Sequence, residues 1–170
     1  LICSVPSGSR HKGLSTALEV GANYLKNKRK PIPVGVQVAK QATTSSELRN
    51  AWINDPQSRL NLSPKELLEF QKFMDENVEC ARTVKDIPVI LFQGHDDKLV
   101  KEKGTLDLFD ALATPRKSIV ILGNTEHLIF EAGQFKDDLT LGVIGWMSAH
   151  RASAAATATA PAATTTETTP

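Results

Sequence analysis

Several local signatures that would announce a chemistry are missing from this chain. It has no G-x-S-x-G, no glycine-rich phosphate loop, no H-E-x-x-H and no dinucleotide fingerprint, so no nucleophile elbow, nucleotide cradle or zinc-protease helix is readable from a motif. Cysteine is scarce: Cys3 and Cys80 are the only two, and they lack the spacing of a disulfide framework or a zinc site. Both sit among apolar neighbours and are expected to be reduced core thiols. No apolar run approaches the roughly 20 residues of a membrane span, and no leader peptide is in view. The chain is therefore expected to be soluble, and with reduced cysteines, cytoplasmic. An excess of one charge is lacking as well, since 20 Lys and Arg face 19 Asp and Glu. That balance gives no argument for nucleic acid or an anionic surface as partner.

What is present is concentrated between Ile87 and His127. The apolar run Val89 to Phe92 stops at Gly94 and the aspartates Asp96 and Asp97; an amphipathic stretch over 101–113 follows, with Leu108, Phe109 and Leu112 on one face. A second apolar run, Ile119 to Leu122, stops at Gly123 and His127. This is the pattern of a strand, a crossover helix and a parallel strand, which leaves both C-terminal strand ends on one edge of the sheet. Asp97 and His127 are then expected to meet there, the carboxylate fixing the tautomer of the imidazole and the second ring nitrogen left to exchange protons with a nucleophile. Gly94 permits a tight departure from the strand, and the spacing from it favours Asp97 over its neighbours His95 and Asp96, the latter being read as a turn residue. Glu126 is expected to be a hydrogen-bonding loop residue, and His11 and His150 have no constellation around them.

Elsewhere the chain supports this unit. Leu1 to Val5 has the character of a buried strand ended by Pro6, Ser7 and Gly8. Leu14, Leu18, Gly21, Ala22 and Leu25 recur at helical spacing, so 15–27 is expected to be a helix running into Lys26, Lys28, Arg29 and Lys30. That cluster is a solvated helix end or a phosphate or headgroup contact. After Pro31 and Pro33 the periodicity over 34–62 is mixed, with a helix suggested near Glu47 to Ile53. Ser63, Pro64, Lys65 and Glu66 form a capping box with proline at the first helical position; the helix should reach Ala81 and bury Leu67, Phe70, Met74 and Val78. A last helix is expected over 134–150. From Arg151 alanine, threonine and proline dominate, a composition with too little apolar surface to offset its ordering entropy, and 151–170 is expected to be a disordered tail.

The segments PVILFQGHDDKLV, GTLDLFDAL and KSIVILGNTEHLIFEAGQF, with Trp146 and Met147, resemble the C-terminal part of α/β-hydrolases of the monoglyceride lipase and lysophospholipase type, the serine aminopeptidase S33-like group. The resemblance implies an α/β fold in which 1–7 and 85–150 are part of the hydrolase core, 8–84 is a mostly helical cap, and the N-terminal strands and nucleophile elbow precede Leu1. It carries Asp97 over as the family's acid and His127 as its catalytic histidine. Neither Cys3, Ser4 nor Ser7 lies in an elbow.

Two classes of function follow. The first is part of a serine hydrolase acting on a small, lipid-like acyl ester, with no cofactor or metal, a serine supplied by the missing N-terminal half of the fold, and a possible transient contact of the cap with a lipid surface. Leu14, Leu25, Trp52, Leu67, Phe70 and Phe73 would line an acyl channel or serve as plain core. The second is a non-catalytic hydrolase-like binding or scaffold domain. A third origin, the product of a truncated gene, is compatible with the strand-internal start.

Overall fold

In the computed structural model the described residues are 1–6, 8–9, 14–131, 134 and 136–158, those at 14–20 and 152–158 by backbone alone. The chain divides into two compact units, Leu1–Gln134 and Phe135–Pro170.

The first unit is built on a parallel sheet of three strands, β1 (Ile2–Ser4), β2 (Val89–Gly94) and β3 (Lys117–Leu122), in the order β1-β2-β3. Ile90 faces Ile2 on one side and Ser118 on the other, and Gly94 faces Leu122, so β2 and β3 end level. The central strand VILFQG is buried along its whole length. Its continuous apolar character, without alternation, is what a parallel strand covered on both faces requires.

Between β1 and β2 lie α1 (Leu14–Asn27), α2 (Gly35–Ala42), α3 (Ser46–Asn54) and α4 (Pro64–Ala81); α5 (Glu102–Ala111) crosses from β2 to β3. Val89 and Leu91 of β2 pack with Ala81 of α4, Leu108 of α5 and Leu112, and Val78 and Cys3 border this cluster. The end of α4 is thus part of the core over the sheet. Phe92, on the opposite face of β2, meets Phe130 edge to face at 5.3 Å between ring centres.

The excursion carrying α2 and α3 is closed at its base. Ile32 and Leu62 exchange backbone hydrogen bonds at 2.9 and 3.1 Å, and Gly35 N–H donates to Leu60 O at 2.8 Å. The helix α2 was not legible in the sequence. Its segment GVQVAKQA alternates β-branched and polar residues after two prolines, which weakens intrinsic helix preference. Tertiary contact supplies what propensity lacks, because Ala39 and Ala42 are completely buried.

The helix expected after Ser63 begins and ends where its caps dictate. Ser63 Oγ accepts from Glu66 N–H at 3.3 Å while the Glu66 carboxylate accepts from Ser63 N–H at 2.8 Å and from its hydroxyl at 2.7 Å. Met74 is buried as expected, but Phe70 is 46% exposed and Cys80 is on the surface, so neither is a core residue. Neighbouring side chains at helical spacing do not share one depth: Pro64, Met74 and Ala81 bury a narrow stripe along the helix, and the apolar positions beside it stay in solvent.

The described part of the second unit is α6 (Asp137–Ala158). It starts with two aspartates in its first turn, where negative charge is favoured, and Trp146 lies against the imidazole of His150, with ring centres 4.2 Å apart. The helix continues past Arg151 through ASAAATA, into the stretch expected to be tail. Alanine has the highest helix preference of any residue, and a low apolar content does not cancel it. The remainder of that stretch, 159–170, and the positions Ser7 and His11 lie outside the described residues.

The capping box sets a first test. The Ser63 backbone N–H, its hydroxyl and Arg59 pull the Glu66 carboxyl down to about 2. A depressed carboxyl stabilises the fold fully above its unfolded value of 4.5 and loses that contribution as pH falls through about 2. Ser63→Ala is expected to lower unfolding stability by about 1 kcal/mol at neutral pH, read as a shift in urea midpoint, with the difference from wild type shrinking across that acid window.

Candidate active site

The acid loop leaves β2 at Gly94, where a side chain has no room: an added Cβ would lie 2.3 Å from Glu126 O and 2.4 Å from Thr125 O. The backbone of the loop after β3 therefore rests directly on the end of β2. His95 N–H donates to Leu122 O at 2.9 Å and Asp96 N–H to Thr125 O at 3.0 Å, joining the two loops along this line. Asn124 takes φ of 50°, in the left-handed region that asparagine tolerates better than most residues.

Asp97 turns back into the protein. Its Oδ1 accepts from Leu99 N–H at 2.7 Å and Val100 N–H at 2.9 Å; its Oδ2 accepts from Gln93 Nε2 at 3.3 Å and lies 2.9 Å from His127 Nδ1. Its side chain is only 1% exposed, against 21% for His127. Burial by itself raises the carboxyl pKa, but the hydrogen bonds from His127, Val100 and Leu99 and the charge of the imidazole outweigh it and hold the group below its ordinary value. An ionised carboxylate only accepts, so Nδ1 of His127 carries the proton and Nε2 is the nitrogen that remains for proton transfer. The two residues that the strand pattern placed on one sheet edge are in hydrogen-bond contact.

The neighbours take other roles. His95 is turned to Glu102 Oε2 at 2.9 Å, and that hydrogen bond and charge raise its pKa. The Asp96 side chain is exposed. Glu126 accepts from Thr43 Oγ1 at 2.9 Å and Thr44 N–H at 2.8 Å, the hydrogen-bonding role expected of it. His150 bonds the Trp146 carbonyl through Nδ1 at 2.8 Å. Ser4 lies within β1 opposite Phe92, and burial pushes the Cys3 thiol up, away from thiolate reactivity.

Sequence reasoning missed Gln93. This fully buried amide ends the apolar strand, bonds Asp97 Oδ2 through Nε2, and accepts from Thr105 Oγ1 at 2.5 Å. A lone amide in an otherwise apolar central strand was the available signal, because a buried polar side chain requires partners.

Beside the pair lies an open depression of about 720 Å³, lined by polar side chains that include Thr44, Ser45, Asp96, Asn124 and Glu126. None of Leu25, Trp52, Leu67, Phe70 and Phe73, expected to line an acyl channel, is among them, and Leu25 and Phe73 are 88% and 62% exposed. No cluster of His, Cys, Asp and Glu among the described residues is arranged to hold a metal ion.

The carboxylate generates a second test. Its depressed pKa stabilises the fold fully above the unfolded value of 3.8, and that contribution disappears as pH falls through the lower folded value. Asp97→Asn is expected to cost about 2 kcal/mol at neutral pH and progressively less in acid, measured by urea unfolding over a pH series.

Comparison with known proteins identifies the fold and the family. None of the curated proteins compared with the chain matches it. Among solved structures it is similar to a Paleococcus ferrophilus monoacylglycerol lipase, at 19% identity and a TM-score of 0.70 over 88% of this chain and 58% of that one. A soluble variant of Saccharomyces cerevisiae monoglyceride lipase in complex with a substrate analog aligns at 21% identity and 0.67, over 88% of this chain and 52% of that one. DcsB, in complex with its substrate analogue, aligns at 12% identity and 0.62 over 88% of this chain and 56% of that one. The chain thus has an α/β-hydrolase fold and spans little more than half the length of these neighbours. The family model described as serine aminopeptidase, S33, matches residues 1–132, and the chain belongs to that family.

Proposed function

We propose that this chain is the acid-and-histidine portion of a serine hydrolase that cleaves carboxylic esters of monoacylglycerol or lysophospholipid type. The observation that carries the reading is the 2.9 Å contact between His127 Nδ1 and a buried Asp97 whose remaining acceptor positions are filled by Gln93, Leu99 and Val100. Such a carboxylate fixes the tautomer and supports the imidazolium that forms when Nε2 takes a proton.

In this mechanism the serine oxygen attacks the ester carbonyl as His127 Nε2 removes its proton, giving a tetrahedral intermediate. Its collapse breaks the bond to the alcohol oxygen, which receives the proton from His127 and leaves. Water then attacks the acyl-serine ester by the same route and releases the acid. The serine belongs to sequence outside these 170 residues, a placement supported by the absence of G-x-S-x-G here and by the partial coverage of both lipases. The segment 8–84, apart from the end of α4 that joins the core, acts as the cap over this site.

Exposed Leu25 on α1 and Phe70 and Phe73 on α4, with the basic residues Lys26, Lys28, Arg29 and Lys30 at the end of α1, support a transient contact of the cap with a lipid surface. No helix among the described residues is long and apolar enough to cross a membrane. Free thiols at Cys3 and Cys80 fit a reducing, cytoplasmic setting.

In the whole protein, His127→Ala is expected to lower kcat for monoacylglycerol hydrolysis by about 10⁴ or more, followed by release of fatty acid. The 170-residue chain alone is expected to give no serine-dependent hydrolysis. Turnover by this chain that His127→Ala abolishes would overturn the placement of the serine.

A further inference from the structure

An imidazole held through one ring nitrogen is not yet positioned, because the ring can follow its own backbone away from the acid. The backbone at His127 is fixed from an unexpected direction. His127 N–H donates to Ala42 O at 3.3 Å, and the preceding Glu126 uses a single oxygen, Oε2, to accept from both Thr43 Oγ1 at 2.9 Å and Thr44 N–H at 2.8 Å. Three hydrogen bonds therefore join the loop after β3 to the turn between α2 and α3, more than 80 positions earlier in sequence.

That turn is built to hold still. Thr43 is 1% exposed, and its hydroxyl oxygen also accepts from Ser45 N–H at 3.1 Å. Arg49 reaches back from α3 to donate to Thr43 O at 3.1 Å and Thr44 O at 2.6 Å. Ser45 caps α3 by accepting from Leu48 N–H at 3.3 Å. At its base the excursion is pinned by the Ile32 and Leu62 pair. The turn is therefore anchored at both of its ends before it meets Glu126.

We propose that Glu126 is a positioning residue for His127, tying it to the Thr43–Thr44 turn so that the meeting of His127 with Asp97 depends on where the α2–α3 excursion sits. The inference rests on the reading of His127 and Asp97 as a working pair. A shift of the excursion would draw on Glu126 and Ala42 together and move the imidazole relative to Asp97. Glu126 accepts two hydrogen bonds, at 2.9 and 2.8 Å, both shorter than the 3.3 Å bond to Ala42, so this tether carries more of the constraint. The requirement is for an acceptor oxygen at that place and not for charge.

The test follows the Nδ1–H proton of His127 in the ¹⁵N-labelled whole protein by NMR, measuring its resonance and its exchange with water. Glu126→Ala is expected to speed exchange about tenfold and Thr43→Val, which removes one of the two donors, about threefold. Glu126→Gln keeps an oxygen able to accept from both donors and is expected to restore exchange to within about twofold of wild type. Unchanged exchange in Glu126→Ala, even with a lower melting temperature, would overturn the proposal and leave Glu126 a merely structural residue. Glu126→Gln as defective as Glu126→Ala would overturn it too, in favour of charge. If Glu126→Ala does not fold, Thr43→Val decides, and unchanged exchange there overturns the tether. Absence of a protected Nδ1–H signal sensitive to Asp97→Asn in the wild type would instead sink the working pair itself.

Discussion

A carboxylate withdrawn from water is the constraint around which the first unit is arranged. Taking an ionised group out of solvent costs several kcal/mol unless donors replace the lost hydration, and Asp97 recovers it from four directions: two backbone N–H groups of its own loop, the Gln93 amide and the His127 ring. Each donor depends on a different part of the fold. Leu99 and Val100 require the loop to curl back on itself, Gln93 requires β2 to end inside the protein, and His127 requires β3 to end level with β2. The β2–β3 pairing sets Gly94 opposite Leu122, so the two strands end level.

How much of this was legible depends on whether the signal was local. The two strands, the crossover helix and the Ser63 cap were readable because apolar runs, helical spacing and a capping box are written in contiguous residues. The contact of Asp97 with His127 was readable because parallel topology converts two strand ends into neighbours. Gln93 was hidden because its partners are set by depth, which a single polar letter in an apolar run signals only weakly. The helix α2 was hidden because burial of Ala39 and Ala42, not the preference of its valines, makes it helical. Phe70 was placed in the core by spacing and Cys80 by its apolar neighbours, whereas only a narrow stripe of α4, through Pro64, Met74 and Ala81, is buried.

The chain also shows how a polar excursion can be joined to a hydrolase sheet. Membership in the serine aminopeptidase S33 family and the likeness to monoacylglycerol lipases agree with its parallel sheet. The depression beside Asp97 is lined by hydroxyls, carboxylates and amides together with His95 and Lys98.

The bare Cα of Gly94 has a consequence of its own. Because carbonyl oxygens of Thr125 and Glu126 occupy the space a methyl group would need, the strand end acts as a seat for the neighbouring segment. Any heavier residue would wedge the two apart, so the meeting of Asp97 with His127 is written into a missing atom as firmly as into the two side chains that make it.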